Sequence, residues 1–85
     1  MSRFRVSVHI LPRRGILDPQ GKAVTDALHS LGFQGVEETR IGRHVVMDVS
    51  AADAGAADGS AREMCERLLA NPVTEDFEIA SVHPL

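Results

Sequence analysis

Side chains that could do acid–base, nucleophilic or metal chemistry are few in this sequence of 85 residues. The one cysteine, Cys65, falls on the apolar stripe of a predicted helix, where a free cysteine is more often a small core residue than a reactive thiol. His9 and His44 fall on the polar sides of two predicted strands and could face each other. A metal site takes three or four ligands in fixed geometry, so we predict surface or interface histidines.

The charged pairs in the sequence also lack a catalytic arrangement. The two acidic pairs, Glu37–Glu38 and Glu75–Asp76, are adjacent in the chain, and neighbouring strand residues point to opposite faces. Arg13–Arg14 precedes a predicted helix and could meet a phosphate, but no glycine-rich phosphate loop follows it. A solvated basic turn is therefore the favoured interpretation. The sequence predicts no catalytic residues and no metal site.

The first half of the chain contains a strand and a helix. Residues alternate between apolar and polar from Phe4 to Ile10, which predicts a half-buried strand. Asp18 is a suitable N-cap and Pro19 suits the first helical position. Apolar residues recur at helical spacing after them, and Gly32 suits a left-handed C-cap. We predict a helix over Pro19–Leu31.

The second half predicts two strands and one helix. Val36 to Ser50 is consistent with two short strands or one long one bent at Gly42, and we favour the long strand. The Ala/Gly/Asp-rich stretch 51–59 predicts a loop, and Ser60 with Glu63 predicts a capping box that starts a helix over Ser60–Ala70. The remaining predictions are a strand over Thr74–Val82 and a tail over 83–85.

These elements alternate in the order β-α-β-α-β within one domain, residues 1–85. Amphipathic strands with helices between them indicate an α+β fold, a small two-layer sandwich of ferredoxin-like character with the helices on one face of the sheet. Three strands leave two exposed edges, and exposed edges invite pairing with another chain. We therefore expect the protein to dimerise through its sheet.

Composition narrows the class of function. The chain is 44% hydrophobic and 25% charged with a net charge of −3, which indicates a folded chain and disfavours a nucleic-acid partner. Residues 1–43 carry +3 and residues 44–85 carry −6, a separation that suits docking to a partner or arises by chance. No stretch approaches the roughly 20 apolar residues of a membrane span. With one thiol and no predicted signal peptide, we expect a cytoplasmic protein.

Three groups of motifs resemble the PurS family, the small subunit of phosphoribosylformylglycinamidine (FGAM) synthase. The first contains the helix start Asp18-Pro19-Gln20-Gly21-Lys22-Ala23. The second is Val36-Glu37 with Arg40-Ile41-Gly42-Arg43. The third runs from Cys65 to Val73, includes Asn71-Pro72, and continues with Glu75-Asp76-Phe77. The resemblance covers nearly the whole chain, in order and at the family's spacing, over residues 17–24, 27–32, 36–37, 40–43, 65–73 and 75–77.

The resemblance implies a place in de novo purine synthesis. It implies a homodimer or a tetramer that joins a large synthetase subunit, which binds ATP and magnesium, to a glutaminase subunit. It further implies that this chain binds no cofactor and has no catalytic residues of its own. The alternative that we keep open is a dimeric ferredoxin-like domain that senses a small molecule, which would need a pocket with converging polar groups.

Eight residues of these motifs are candidates for partner binding. A glycine in the first turn of a helix costs about 0.5–1 kcal/mol relative to alanine, so we expect a close approach at that position. Gln20 and Lys22 could contact a partner or remain solvated. Arg43 interrupts an apolar alternation, and interfacial arginines are common anchors. The full candidate set is Gln20, Gly21, Lys22, Arg40, Gly42, Arg43, Asn71 and Pro72.

Overall fold

A computed structural model describes all residues from Met1 to Leu85. It confirms the α+β fold and the β-α-β-α-β order. A short π-helical segment, Cys65–Leu69, extends the second helix. None of the helices has the length and the hydrophobicity of a membrane-spanning segment. The elements are β1 (Ser2–Pro12), α1 (Pro19–Ser30), β2 (Arg43–Ala51), α2 (Ala54–Met64) and β3 (Glu75–Pro84).

The sheet has the order β2-β1-β3, with β1 antiparallel to both neighbours. The predicted alternation in β1 is confirmed, because Phe4, Val6, Val8 and Ile10 point to one face and are at most 6% exposed. Burial of one such side chain contributes about 1.5–3 kcal/mol. The opposite face carries polar side chains and remains open, with the Arg5–Asp48 ion pair across it at 2.9 Å.

Helix α2 covers the apolar face of the sheet. Ala57 and Ala61 of α2, and Cys65 directly after its end, are fully buried there. Their small side chains allow the helix to approach the strands closely. The prediction of a loop over 51–59 is wrong, as is the capping box at Ser60. The helix begins at Ala54 instead, and the Asp53 carboxylate accepts a hydrogen bond from the Ala56 amide at 2.8 Å.

Helix α1 lies close to its predicted bounds but does not pack on the sheet. The Asp18 side chain caps it, and Gly32 adopts a φ of 99° just after its end. It packs instead on the segment that returns to β2: Thr25 donates to Thr39 between hydroxyl oxygens 2.8 Å apart, and the His29 ring nitrogen lies 2.6 Å from the Val36 carbonyl oxygen. We call residues 13–42 the arm. The molecule measures 51 × 26 × 14 Å.

Two strand boundaries differ from the prediction. The long strand over Val36–Ser50 is wrong in its first half, because residues 36–42 pair with no strand and β2 begins only at Arg43. A Cβ at Gly42 would collide with the Ile10 carbonyl oxygen, so the glycine permits the chain to enter the sheet there. The predicted tail is also partly wrong, because β3 continues through Pro84.

Candidate functional site

The eight candidate residues lie on segments that meet at one end of the sheet. There β1 ends at Pro12, which pairs with Glu75 at the start of β3, while Arg43 starts β2 opposite Ile10. Helix α1 begins at the same end, where Asp18 bonds to the chain just before β2. We call this region the arm base. The structure thus gathers motifs that are up to about fifty residues apart in sequence.

Asp18 ties the start of helix α1 to the return segment of the arm. One carboxylate oxygen accepts a hydrogen bond from the Gly21 amide, and the other accepts one from the Ile41 amide, each at 3.0 Å. The hydrogen bond from the Gly21 amide, and to a smaller extent the one from the Ile41 amide, hold the pKa of the Asp18 carboxyl below its usual value. The carboxylate therefore caps the helix and anchors the return segment at the same time.

Gly21 shows why a glycine occupies the first turn of α1. It is buried, and a Cβ there would collide with the backbone oxygen of Thr39 and with the Asp18 carboxylate. The expected close approach exists, and the group that approaches belongs to this chain's own return segment.

Gln20 and Lys22 flank that contact and are exposed. The Lys22 ammonium donates to the Asp26 carboxylate, four residues further along the helix, at 2.9 Å. That hydrogen bond and the charge of Asp26 raise the pKa of Lys22. An exposed pair of this kind adds little to stability, so Lys22 can meet a partner without disturbing the fold.

Arg40 holds the arm to the end of β1. Its guanidinium donates to the Pro12 carbonyl oxygen at 3.3 Å and lies 3.8 Å from a Glu38 carboxylate oxygen. Its side chain is half-buried in this position. Arg40 therefore has a structural role in the arm base, with part of the guanidinium still open to solvent.

Arg43 and Asn71 converge on one carboxylate. Glu75 accepts a hydrogen bond from the Arg43 guanidinium at 2.6 Å and from the Asn71 amide at 2.8 Å, both on the same oxygen. Both contacts lower the pKa of Glu75, and the hydrogen bond from the Asn71 amide has the larger effect. The structure thus explains the interruption of the apolar pattern, since Arg43 lies at the end of the sheet and bonds across it.

The sequence analysis missed Arg13 as a member of this network. Arg13, predicted as a solvated turn residue, donates to the Pro72 carbonyl oxygen at 2.9 Å and to the Asp76 carboxylate at 3.0 Å. Its own amide bonds to the Thr74 carbonyl oxygen. No local pattern could have linked these residues, because about sixty positions separate them in the chain.

The predicted histidine pair is confirmed. His9 and His44 face each other on the open face of the sheet, with their Nδ1 atoms 3.1 Å apart and their ring centroids 4.8 Å apart. One of the two Nδ1 atoms therefore carries a hydrogen and donates a hydrogen bond to the other. No cluster of three or more histidine, cysteine, aspartate or glutamate side chains suited to a metal ion forms in the structure.

The arm base presents bound carboxylates rather than a proton-transfer pair. Asp18 and Glu75 both have lowered pKa values and accept hydrogen bonds from backbone amides. Burial raises the pKa of the Cys65 thiol, and the thiolate is the form that reacts. The arrangement is a polar, internally tied surface with exposed cations, which is suited to binding another molecule.

Comparisons with known sequences and structures identify the family of the chain. The PurS family, described as phosphoribosylformylglycinamidine (FGAM) synthase, matches residues 5–83. The FGAM synthase subunit PurS of Bacillus subtilis is 40% identical over 74 residues, which cover 87% of each chain. The PurS structure of Thermus thermophilus superimposes with a TM-score of 0.86 at 37% identity, covering 98% of both chains.

One solved relative comes from a multi-subunit structure. A chain in the structure of PurLQS from Thermotoga maritima superimposes with a TM-score of 0.82 at 28% identity, over 100% of both chains. The fold and the length therefore agree from end to end. This chain belongs to the PurS family of phosphoribosylformylglycinamidine synthase.

Proposed function

We propose that this chain is the non-catalytic adaptor subunit of FGAM synthase in de novo purine biosynthesis. A homodimer of it joins an ATP-dependent synthetase subunit to a glutaminase subunit in the cytoplasm. Ammonia from glutamine then converts formylglycinamide ribonucleotide into formylglycinamidine ribonucleotide. ATP and magnesium bind to the synthetase, and this chain contributes binding surfaces.

The observation that carries the proposal is the match to the PurS family over residues 5–83. The Bacillus subtilis relative is named a subunit of FGAM synthase, and the Thermotoga maritima relative was solved within PurLQS. The chemistry of the arm base agrees with a binding role. Its carboxylates are already bonded within the chain, while Gln20 and Lys22 remain exposed on the first turn of α1.

The arm base is the surface that we assign to the partner subunits. Lys22 supplies an exposed cation and Gln20 an exposed amide, while Arg40 and Arg43 add guanidinium groups that are only partly covered. Arginine is enriched at binding hot spots because its planar group makes several directed hydrogen bonds. Gly21 and Gly42 shape the surface by allowing close backbone contacts. Asn71 and Pro72 form its opposite rim.

Lys22→Glu tests this assignment. Reversal of an exposed charge should leave the fold intact and weaken binding to the synthetase–glutaminase pair about tenfold, which corresponds to about 1.4 kcal/mol. Arg62→Glu is the matched control, because Arg62 forms an equivalent pair with Asp58 four residues earlier on α2. Light scattering on a sizing column, with both partner subunits, glutamine and Mg-ATP, measures assembly, and glutamine-dependent FGAM formation measures function.

The outcomes separate the site from the function. Equal assembly of the Lys22→Glu and Arg62→Glu variants contradicts the assignment of the arm base. Failure of the unchanged chain to enter a complex contradicts the adaptor function itself. Binding of amino acids or nucleotides by the isolated dimer, seen as a thermal shift, supports the small-molecule sensor instead.

A further inference from the structure

The open face of the sheet carries a pair of histidines that the arm base does not use. His9 on β1 and His44 on β2 lie directly opposite each other in the antiparallel register, and both are exposed. Side chains at opposed positions point to the same face, with Cβ atoms about 4.5–5.5 Å apart. Val8 and Ile10, on either side of His9, are fully buried in the core, so the backbone beneath the pair is held in place.

The separation of the two rings is the one that a single metal ion requires. Their Nδ1 atoms lie 3.1 Å apart. An ion bound at about 2.0–2.1 Å from each of two imidazole nitrogens holds them about 2.9 Å apart at a right angle and about 3.3 Å apart at the tetrahedral angle. The observed distance lies between these values. Because both rings are exposed, a small rotation about their side-chain bonds aims both lone pairs at one ion.

The hydrogen between the rings does not obstruct this arrangement. One Nδ1 carries it and the other accepts it. A histidine that binds a metal ion is neutral and offers a free lone pair. The ring that carries its hydrogen on Nδ1 reaches this form by moving that hydrogen through water to its own Nε2, without a change of charge. Both Nδ1 atoms are then free to bind.

A third residue supports His9 from the other side. Glu78 on β3 lies directly opposite His9, so His44, His9 and Glu78 form one row across the three strands. The Glu78 carboxylate is exposed and takes part in none of the ion pairs of the chain. A metal-bound histidine usually donates its other ring N–H to a carboxylate, which orients the ring and makes it a better ligand. The register places Glu78 beside His9 for that contact.

The other two histidines lack these features. A ring nitrogen of His29 lies 2.6 Å from the Val36 carbonyl oxygen within the arm, and His83 lies opposite Arg5, whose positive charge opposes a cation. No cluster of three ligand side chains forms anywhere in the chain, so water fills the remaining positions of an ion between His9 and His44. Imidazole nitrogens with water oxygens suit Ni²⁺ and Cu²⁺, which favour square or tetragonal geometry.

We propose that His9 and His44 chelate one divalent late transition-metal ion on the open face of the sheet, and that Glu78 orients His9 for this binding. The site is separate from the arm base and does not depend on the adaptor function. A bound ion links β1 to β2. It stabilises the folded chain by mass action, because the unfolded chain does not hold the two rings together.

Isothermal titration of the full chain with Ni²⁺ tests the site, at about pH 7.5 where imidazole is mostly neutral. We expect one ion per chain. His9→Gln or His44→Gln should weaken binding at least about 100-fold, since the second ring acts at a high effective concentration. Glu78→Gln should weaken it about 10-fold. The matched control is His83→Gln, an exposed histidine on the same face, and it should leave the dissociation constant within about twofold.

Two further measurements keep binding apart from folding. Each variant without metal should melt within about 3 °C of the parent chain, because the substituted side chains are exposed. In the parent chain, paramagnetic Ni²⁺ should broaden the ring NMR signals of His9 and His44 before those of the other histidines. Absence of binding, binding that survives His9→Gln or His44→Gln, or broadening that begins elsewhere overturns the proposal. Assembly with the synthetase and glutaminase subunits is measured separately and tests the adaptor function alone.

Discussion

Replacement of Gly21 by alanine should loosen the arm, although the same change stabilises most helices. Alanine is favoured over glycine in a helix interior by about 0.5–1 kcal/mol. At Gly21 the new Cβ would collide with the Thr39 backbone oxygen and with the Asp18 carboxylate. A backbone oxygen cannot turn aside, so the return segment must move away from α1.

The expected size follows from these two opposing effects. Overpacking of a close contact costs about 1–3 kcal/mol, and a Cβ that overlaps a backbone oxygen belongs to the upper part of that range, about 2–3 kcal/mol. The helix preference for alanine recovers up to about 1 kcal/mol of this cost. The net loss of about 1–2 kcal/mol raises the open population of the arm about 5- to 30-fold. Amide hydrogen exchange measures it at Ile41, whose amide donates to Asp18 only while the arm is closed. Amides of the core strand β1 should exchange as before.

Gly59→Ala is the matched control for this experiment. Gly59 lies within α2, and a Cβ there would meet nothing within 4 Å. That change should stabilise the chain by about 0.5–1 kcal/mol and raise its melting temperature by about 2–8 °C. If Gly21→Ala slows exchange at Ile41, or stabilises the chain as Gly59→Ala does, the close contact with Thr39 is not what requires the glycine.

Two further predictions concern titratable groups. The Gly21 and Ile41 amides lower the pKa of Asp18. The stability that the Asp18 carboxylate gives the arm is therefore complete at neutral pH and is lost as the pH falls through that lowered pKa. Hydrogen exchange of the Ile41 amide, followed during an acid titration, should show the loss, and a pH dependence that survives Asp18→Asn would point to another group. Cys65 is buried, and burial raises the pKa of its thiol. A thiol reagent at pH 8 should therefore modify Cys65 at least about 100-fold more slowly in the native chain than in the chain unfolded by urea. Equal rates would show that α2 does not cover the thiol.

The elements with strong local signals were predicted well. The alternation around Val6 and Val8 has the period of a strand, and the cap and proline at Asp18–Pro19 determine where α1 begins. In both cases the signal lies within a few neighbouring residues, which is the range over which backbone preferences act. The buried state of Cys65 was predicted for the same reason, since it continues a stripe at helical spacing.

The prediction of a loop before Ser60 is wrong because the composition of this segment disfavours a helix, whereas its burial stabilises one. Gly55 and Gly59 oppose a helix by about 1 kcal/mol each relative to alanine. Ala57 and Ala61 are completely buried between the helix and the sheet, and that tertiary contact stabilises the helix in spite of its glycines. Asp53, which caps the helix, is the local signal for its correct start.

The candidate site, too, could be predicted only in part from the sequence. The motif residues could be picked out along the chain, and the need for a close approach at Gly21 followed from the cost of a glycine in a helix. Which group approaches it could not be predicted, because Thr39 is eighteen residues away and belongs to a segment that was expected to be a strand. The role of Arg43 also needed the structure, since Glu75 reaches it only across the end of the sheet.

Spacing between near neighbours in the sequence is enough to predict the α+β class, the order of the strands and helices, the apolar face of β1 and the family resemblance. In contrast, the position of α1 away from the sheet and the meeting of the distant motifs at the arm base become visible only in the folded chain. An apolar stripe shows that a helix must be covered, but it contains no information on which surface covers it. That choice depends on contacts between residues far apart in the chain.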